Sequence, residues 1–398
     1  MCRGKIVPVF VLIVLFVISA SSGHADEGSI AGSVNDFGLK LFKHLNEQNT
    51  EGNIIISPLS VSMALTMVYN GSEGETREAM ASTLELGGLS TDEIDSSFKG
   101  LSDTLTSLDS AVVFQIANSI WYRQSLQVQD AFLDINRSFF DARIGPCDFG
   151  DPGTADIINN WVSENTNGKI PSIVEKPISP DLVMILINAI YFHGNWTKQF
   201  DAKYTRDDEF TLSGSTKTTC KMMSQEGRFR YLENDIFQAI ELPYGKGDFN
   251  MIIFLPKPDV GIDDLIGRLD GDSLKLWSRG LHGRQGNISM PRFKTEYEEN
   301  LTETLKSMGM AIAFAGNADF SGISEGIFIS YVKHKTYVEV NEEGTEAAAV
   351  TSVGMVTSAA PAESFVMRVD RPFLFLIRDS RSGTILFLGK ITYPSQNG

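Results

Sequence analysis

Positive charge is scarce in this sequence, cysteine is scarcer, and a long apolar run occurs only at the start. Lysine and arginine total 34 against 50 aspartates and glutamates, a formal net charge of −16. Such a surface repels a phosphate backbone, so a nucleic-acid partner is not expected. Three cysteines in 398 residues exclude a disulfide scaffold. No Walker loop, no H-E-x-x-H and no cysteine–histidine metal spacing is present, so neither a metal nor a cofactor is expected. There is no Pro/Gly/Ser linker, no block of like charge and no solenoid-length repeat, which points to one large mixed domain.

The opening apolar run reads as an address. Arg3 and Lys5 precede the stretch Ile6 to Ala20, and Gly23-His24-Ala25 follows with small residues. That is the layout of a secretory signal peptide cleaved after Ala25, and the stretch is short for a membrane span. The expectation is a signal at 1–25, a single domain at 26–398, export to the extracellular space, and no membrane attachment after cleavage. Cleavage also removes Cys2 and shifts the net charge to −18. Only Cys147 and Cys220 remain, and their pairing stays open.

The N-terminal third reads as helical. Val34, Phe37, Leu41 and Leu45 recur at helical spacing. Ile54-Ile55-Ile56 suits a short strand, Ser57 an N-cap and Pro58 the first turn of a helix. That helix is apolar nearly all round, hence buried, and Gly71 is expected to stop it. Val112 to Tyr122 suits a strand, and Ala155 to Asn165 a helix closed by Gly168. Leu182 to Phe192 reads as a strand covered on both faces, with Asn188 needing buried hydrogen-bond partners. Ile327 to Val340 alternates, placing His334, Thr336, Val338 and Val340 on one face. Phe373–Ile377, a turn at Asp379–Gly383 and Thr384–Leu388 form a hairpin signal.

Between these regions lies a long segment of small residues, Glu342 to Ala362. A loop of this length in a compact domain is usually functional, although a tolerated surface insertion has the same composition. Thr345, Ala347, Ala349 and Thr351 would share one face if the segment became a strand. All four are small enough to enter a crowded sheet, with Glu346 facing outward. Gly344 ahead of them supplies the backbone freedom of a hinge.

Several short motifs, in order, carry a family resemblance. They are Asn53-x-x-x-Ser57-Pro58-x-Ser60, Asn118-Ser119-Ile120-Trp121, Trp161-x-x-x-x-Thr166-x-Gly168-Lys169-Ile170 and Asn188-Ala189-Ile190-Tyr191-Phe192-x-Gly194-x-Trp196. Glu241-Leu242-Pro243-Tyr244, Phe254-Leu255-Pro256, Pro291-Arg292-Phe293, Asp319-Phe320-Ser321, the hinge at 342–349 and Arg371-Pro372-Phe373 follow. Across essentially the whole mature chain the sequence resembles the serpins.

The resemblance implies an α+β fold: a large mixed sheet, smaller sheets, about nine helices and an exposed reactive centre loop near 342–362. It implies a monomer that inhibits serine proteases as a suicide substrate. The loop is cleaved, inserts as a new strand and traps the protease as a covalent acyl-enzyme. The small hinge residues Gly344, Thr345, Ala347, Ala348 and Ala349 are those of inhibitory members. Ser57, Ser60, Asn188 and His334 match the family's sheet-opening control, which a set of satisfied core polar groups would also explain. Glu342 and Arg292 match a charged pair at the top of the sheet, near Trp196.

Family spacing counted on from Glu342 gives Ser358-Ala359 as the reactive bond, whereas counting back from Arg371-Pro372-Phe373 gives a bond near Pro361. Ser358 is preferred, with Thr357, Ala359 and Ala360 as neighbours in contention and Met355 a lesser option. From Ala347 to Val366 there is no Lys or Arg, so elastase-like or subtilisin-like proteases are expected rather than trypsin-like ones. Two rivals remain: a non-inhibitory serpin acting as carrier, chaperone or storage protein, and a secreted hydrolase. The latter would use Gly322-Ile323-Ser324-Glu325-Gly326, which fits G-x-S-x-G but is expected to be followed by a strand, Phe328 to Val332, rather than a helix.

Overall fold

The computed structural model describes residues 29–179, 182–212, 216–345 and 364–395. The first helix, Ile30–Gln48, is capped by the Ser29 hydroxyl, which accepts from the Gly32 N–H at 3.1 Å. Val34, Phe37, Leu41 and Leu45 are all buried, the single face their spacing predicts. The helix Pro58–Tyr69 starts at Ser57, whose Oγ accepts from the Ser60 N–H at 3.2 Å, with proline where no amide is needed. All but one of its residues are buried. It ends shortly before Gly71, and Gly71 answers to space rather than to a turn: a Cβ there would sit 2.1 Å from Ile323.

Two sheets organise the described residues. The first has six strands in the order Phe293–Asn300, Lys333–Val340, Gly344–Thr345, Met184–Asn195, Val112–Arg123, Arg143–Cys147. It is mixed, since only its last pair is parallel. The second is a nine-stranded set. Its continuity comes from the 17-residue strand Lys217–Glu233, whose successive segments pair with Arg206–Thr211, His282–Pro291 and Phe237–Tyr244. The predicted C-terminal hairpin, Phe373–Asp379 with Ile385–Ile391, lies within this set, and both its strands are buried along their full length. Nine α-helical segments occur among the described residues.

Three expectations need correction. The strand foreseen from Ile327 begins only at Lys333, because Ile327 to Val332 line the wall of a cavity instead of joining a ladder. Consequently no strand spans Phe328 to Val332. The strand Met184–Asn195 is not covered on both faces throughout: buried and half-buried residues alternate along most of it. Its neighbour on one side is the two-residue strand Gly344–Thr345, so among the described residues much of that edge has no ladder partner.

Candidate functional site: a hinge seated in a sheet

After Val340 the chain turns sharply. The Asn341 side-chain oxygen accepts from the amides of Glu343 at 3.0 Å and Gly344 at 3.2 Å, and the Asn341 amide donates to the Gly344 carbonyl at 2.9 Å. The turn brings Gly344–Thr345 back antiparallel, with Thr345 opposite Val340. On its other side Gly344 faces Asn195 and Thr345 faces Gly194, again antiparallel. Gly344 has φ +152°, and a Cβ on it would lie 2.1 Å from the Gly194 carbonyl oxygen. Backbone conformation and space both demand glycine here.

Aromatic packing supports this rung. Trp196 stacks on Tyr244 with ring centroids 4.4 Å apart, and its indole N–H donates to the Asn341 carbonyl at 3.0 Å. The Trp196 amide donates to the Glu343 carbonyl at 2.7 Å, and that of Phe200 to the Glu342 carbonyl at 2.8 Å. The Tyr244 hydroxyl lies 2.7 Å from Thr345 Oγ1, both groups buried. The Glu342 carboxylate accepts from Arg292 Nε at 2.6 Å and from the Thr205 hydroxyl. Burial pushes that carboxyl up most strongly, but these two hydrogen bonds, a further one from its own backbone amide and the Arg292 charge together outweigh it and hold it below the ordinary value. The expected Glu342–Arg292 pair is therefore present, with Trp196 beside it.

Among the described residues, Lys333–Val340 and Met184–Asn195 share no ladder, and the two-residue strand is what connects them. Tyr337, Glu339, Ile190 and Tyr191 line the gap, with Lys169 beside it. Further along, the gap widens into an apolar cavity over the helix Pro58–Tyr69. The start of that helix spans the two strands. The Ser57 amide donates to His334 Nε2 at 3.1 Å on one side, and the Ser60 hydroxyl reaches the Asn188 carbonyl at 3.5 Å on the other. Asn188 in turn donates to the Asn118 side-chain oxygen at 2.6 Å. Burial lowers the His334 pKa to about 4, so Nε2 is the acceptor of a neutral ring. Ser57, Ser60, Asn188 and His334 thus form one chain of contacts beneath the gap.

The remaining expectations divide. Glu346, Ala347, Ala348, Ala349, Met355, Thr357, Ser358, Ala359 and Ala360 lie outside the described residues, as does the leader 1–25. The chain is described again from Ser364, and Phe365–Arg368 pairs parallel with Gly286–Ser289 of the nine-stranded set. Phe365 stacks on Tyr231 at 3.8 Å. The segment 346–363 therefore joins two different sheets. Ser324 is buried, with no strand before it and no helix after it, so the hydrolase elbow is not formed. Cys147 and Cys220 are both free thiols, and burial raises each to about 11. Sequence reasoning passed over Asn341, though an Asn ahead of Glu-Glu-Gly is a turn signal. It also passed over the contact of Tyr244 with Thr345.

Comparison with known proteins agrees with this architecture. The family model described as Serpin (serine protease inhibitor) matches residues 32–394. The leukocyte elastase inhibitor of Xenopus laevis is 35% identical, covering 92% of this chain and 100% of its own. Human neuroserpin is 32% identical over 91% of each chain. The crystal structure of human thyroxine-binding globulin complexed with thyroxine superposes with a TM-score of 0.84 at 27% identity, covering 92% of this chain and 99% of that one.

Proposed function

The chain belongs to the serpin family, and we propose that it is an inhibitory member, a suicide substrate of serine proteases. One observation carries this reading. Gly344–Thr345 already occupies the first rung between two strands that, among the described residues, pair with nothing else along their facing edges. Extending the antiparallel register would set Ala347 opposite Val338 and Phe192, Ala349 opposite Thr336 and Ile190, and Thr351 opposite His334 and Asn188. Each would face the core, where small side chains fit without overpacking.

The chemistry follows from that geometry. The protease serine oxygen adds to the carbonyl carbon of the reactive bond. The peptide C–N bond breaks, the leaving amine takes a proton, and an ester joins loop to protease. The freed strand then fills the gap before water can hydrolyse the ester. In this reading the reactive bond is Ser358-Ala359, and the lack of basic residues from Ala347 to Val366 selects elastase-like or subtilisin-like targets. The relative named as an elastase inhibitor supports that preference. Ser57, Ser60, Asn188 and His334 resist opening of the sheet from below, while Glu342, Arg292 and Trp196 hold the turn above. The domain spans 26–398, acts as a monomer, and is secreted after loss of residues 1–25.

Incubation with elastase, subtilisin and trypsin tests the reading. An SDS-stable complex with the first two, and a released C-terminal fragment starting at Ala359 by mass spectrometry, are expected. Rapid stoichiometric trapping of trypsin would overturn the proposed specificity. A second reading, a carrier, is favoured by the likeness to thyroxine-binding globulin, and clean cleavage without any stable complex would support it.

A further inference from the structure

Tyr244 comes from a strand of the nine-stranded set, Phe237–Tyr244, yet its hydroxyl reaches into the six-stranded sheet. That hydroxyl is fully buried and meets Thr345 Oγ1 at 2.7 Å. The ring is held on both sides: Trp196 stacks on it at 4.4 Å, and Phe192 meets it edge-on at 5.1 Å. A backbone bridge between Trp196 and Tyr244 fixes the same neighbourhood. The ring therefore has little freedom, and the hydroxyl is presented at a set point. Thr345 is equally constrained on its backbone, through Val340 and Gly194.

We propose that Tyr244 is a positioning residue for strand insertion. Its hydroxyl holds Thr345 in the first rung, so that the cleaved loop starts its entry from a seat already occupied. This rests on the inhibitory reading above, but the anchor itself is a property of the uncleaved protein. A buried hydroxyl left without its partner is costly, so losing either member shifts the hinge toward an unseated state. A rung of only two residues leaves the seated and unseated states close to balance, so insertion then starts from a smaller fraction of molecules and its rate falls by that fraction. Deacylation of the protease does not slow with it. More loop is cut and released per protease trapped.

The test uses Tyr244→Phe, which keeps the stacked ring and removes only the oxygen, together with Thr345→Val, Thr345→Ser and the double variant Tyr244→Phe/Thr345→Val. Two readouts are taken on the full chain: amide hydrogen exchange at Gly344 and Thr345 without protease, and the number of inhibitor molecules consumed per elastase molecule trapped. Tyr244→Phe and Thr345→Val should each speed hinge exchange by about tenfold and raise consumption several-fold. Thr345→Ser should stay near the parent, and the double variant should be no worse than either single one. Unchanged hinge exchange in Tyr244→Phe, or fully additive losses in the double variant, would overturn the anchor. If hinge exchange responds as expected but consumption does not change, Tyr244 holds the hinge without positioning insertion, and the proposal fails. If the parent itself forms no stable complex with elastase or subtilisin, the inhibitory reading fails, and hydrogen exchange still decides whether the anchor exists.

Discussion

At the scale of single residues, buried ionisable groups tie the site to pH. His334 is neutral in the fold, with its pKa lowered to about 4, whereas an unfolded histidine titrates near ~6.5. Between those values the unfolded chain binds more protons, so the fold loses stability as pH falls through that window. The full effect is on the order of 3 kcal/mol, and protonation also removes the acceptor used by the Ser57 amide. Urea unfolding midpoints should therefore drop from pH 7 to pH 4.5, and His334→Gln should flatten that slope. Glu342 is also held below its ordinary value, so its contribution is complete above the unfolded carboxylate pKa and is lost as pH falls through the lower folded one. Glu342→Gln should cost about 1–3 kcal/mol at pH 7 by urea unfolding. Arg292→Ala should cost less when added to Glu342→Gln than when made in the parent, because the two side chains share one contact.

At the scale of elements, much of the site was legible because its signals are local. Ser57-Pro58 announces a helix start through capping chemistry that acts within three residues. Asn188 inside an apolar run announces buried partners, and Asn118 is one of them. Gly344 ahead of small alternating residues announces a strand entry. What was not legible depends on distant neighbours. Ile327 to Val332 alternate like a strand, yet they make only isolated hydrogen bonds to Leu301, Thr302 and Ala313 and join no ladder among the described residues, so they become cavity wall. How much of one edge of Met184–Asn195 is paired depends on a strand that arrives much later in the chain and contributes only two residues. The Tyr244–Thr345 contact spans 101 residues, beyond any local pattern. The seated hinge gives its own prediction. In Gly344→Ala the new methyl group would meet the Gly194 carbonyl, costing ~3 kcal/mol or forcing the rung out. That variant should be cleaved by elastase as an ordinary substrate, with little complex on denaturing gels. His334→Phe should weaken the lower contacts and give higher-order bands on native gels after mild heating; unchanged monomer would count against the gating role.

At the scale of the whole molecule, the proposed mechanism requires that the uncut protein is not in its most stable arrangement. Cleavage of the loop should raise Tm by about 10 °C or more, which in a chain this long takes ~8 kcal/mol. Differential scanning calorimetry before and after a non-target protease cuts the loop would measure it, and an unchanged Tm would remove strand insertion from the account. The two ends of segment 346–363 belong to different sheets, Thr345 to one and Phe365 to the other. As long as the backbone between them is intact, Phe365, stacked on Tyr231, acts as a tether on any strand that tries to advance. One peptide bond then separates a slow protein from a fast one. Once it is cut, no event inside the molecule can restore the connection, so under the proposed mechanism each copy would record a single encounter permanently, as a blown fuse does.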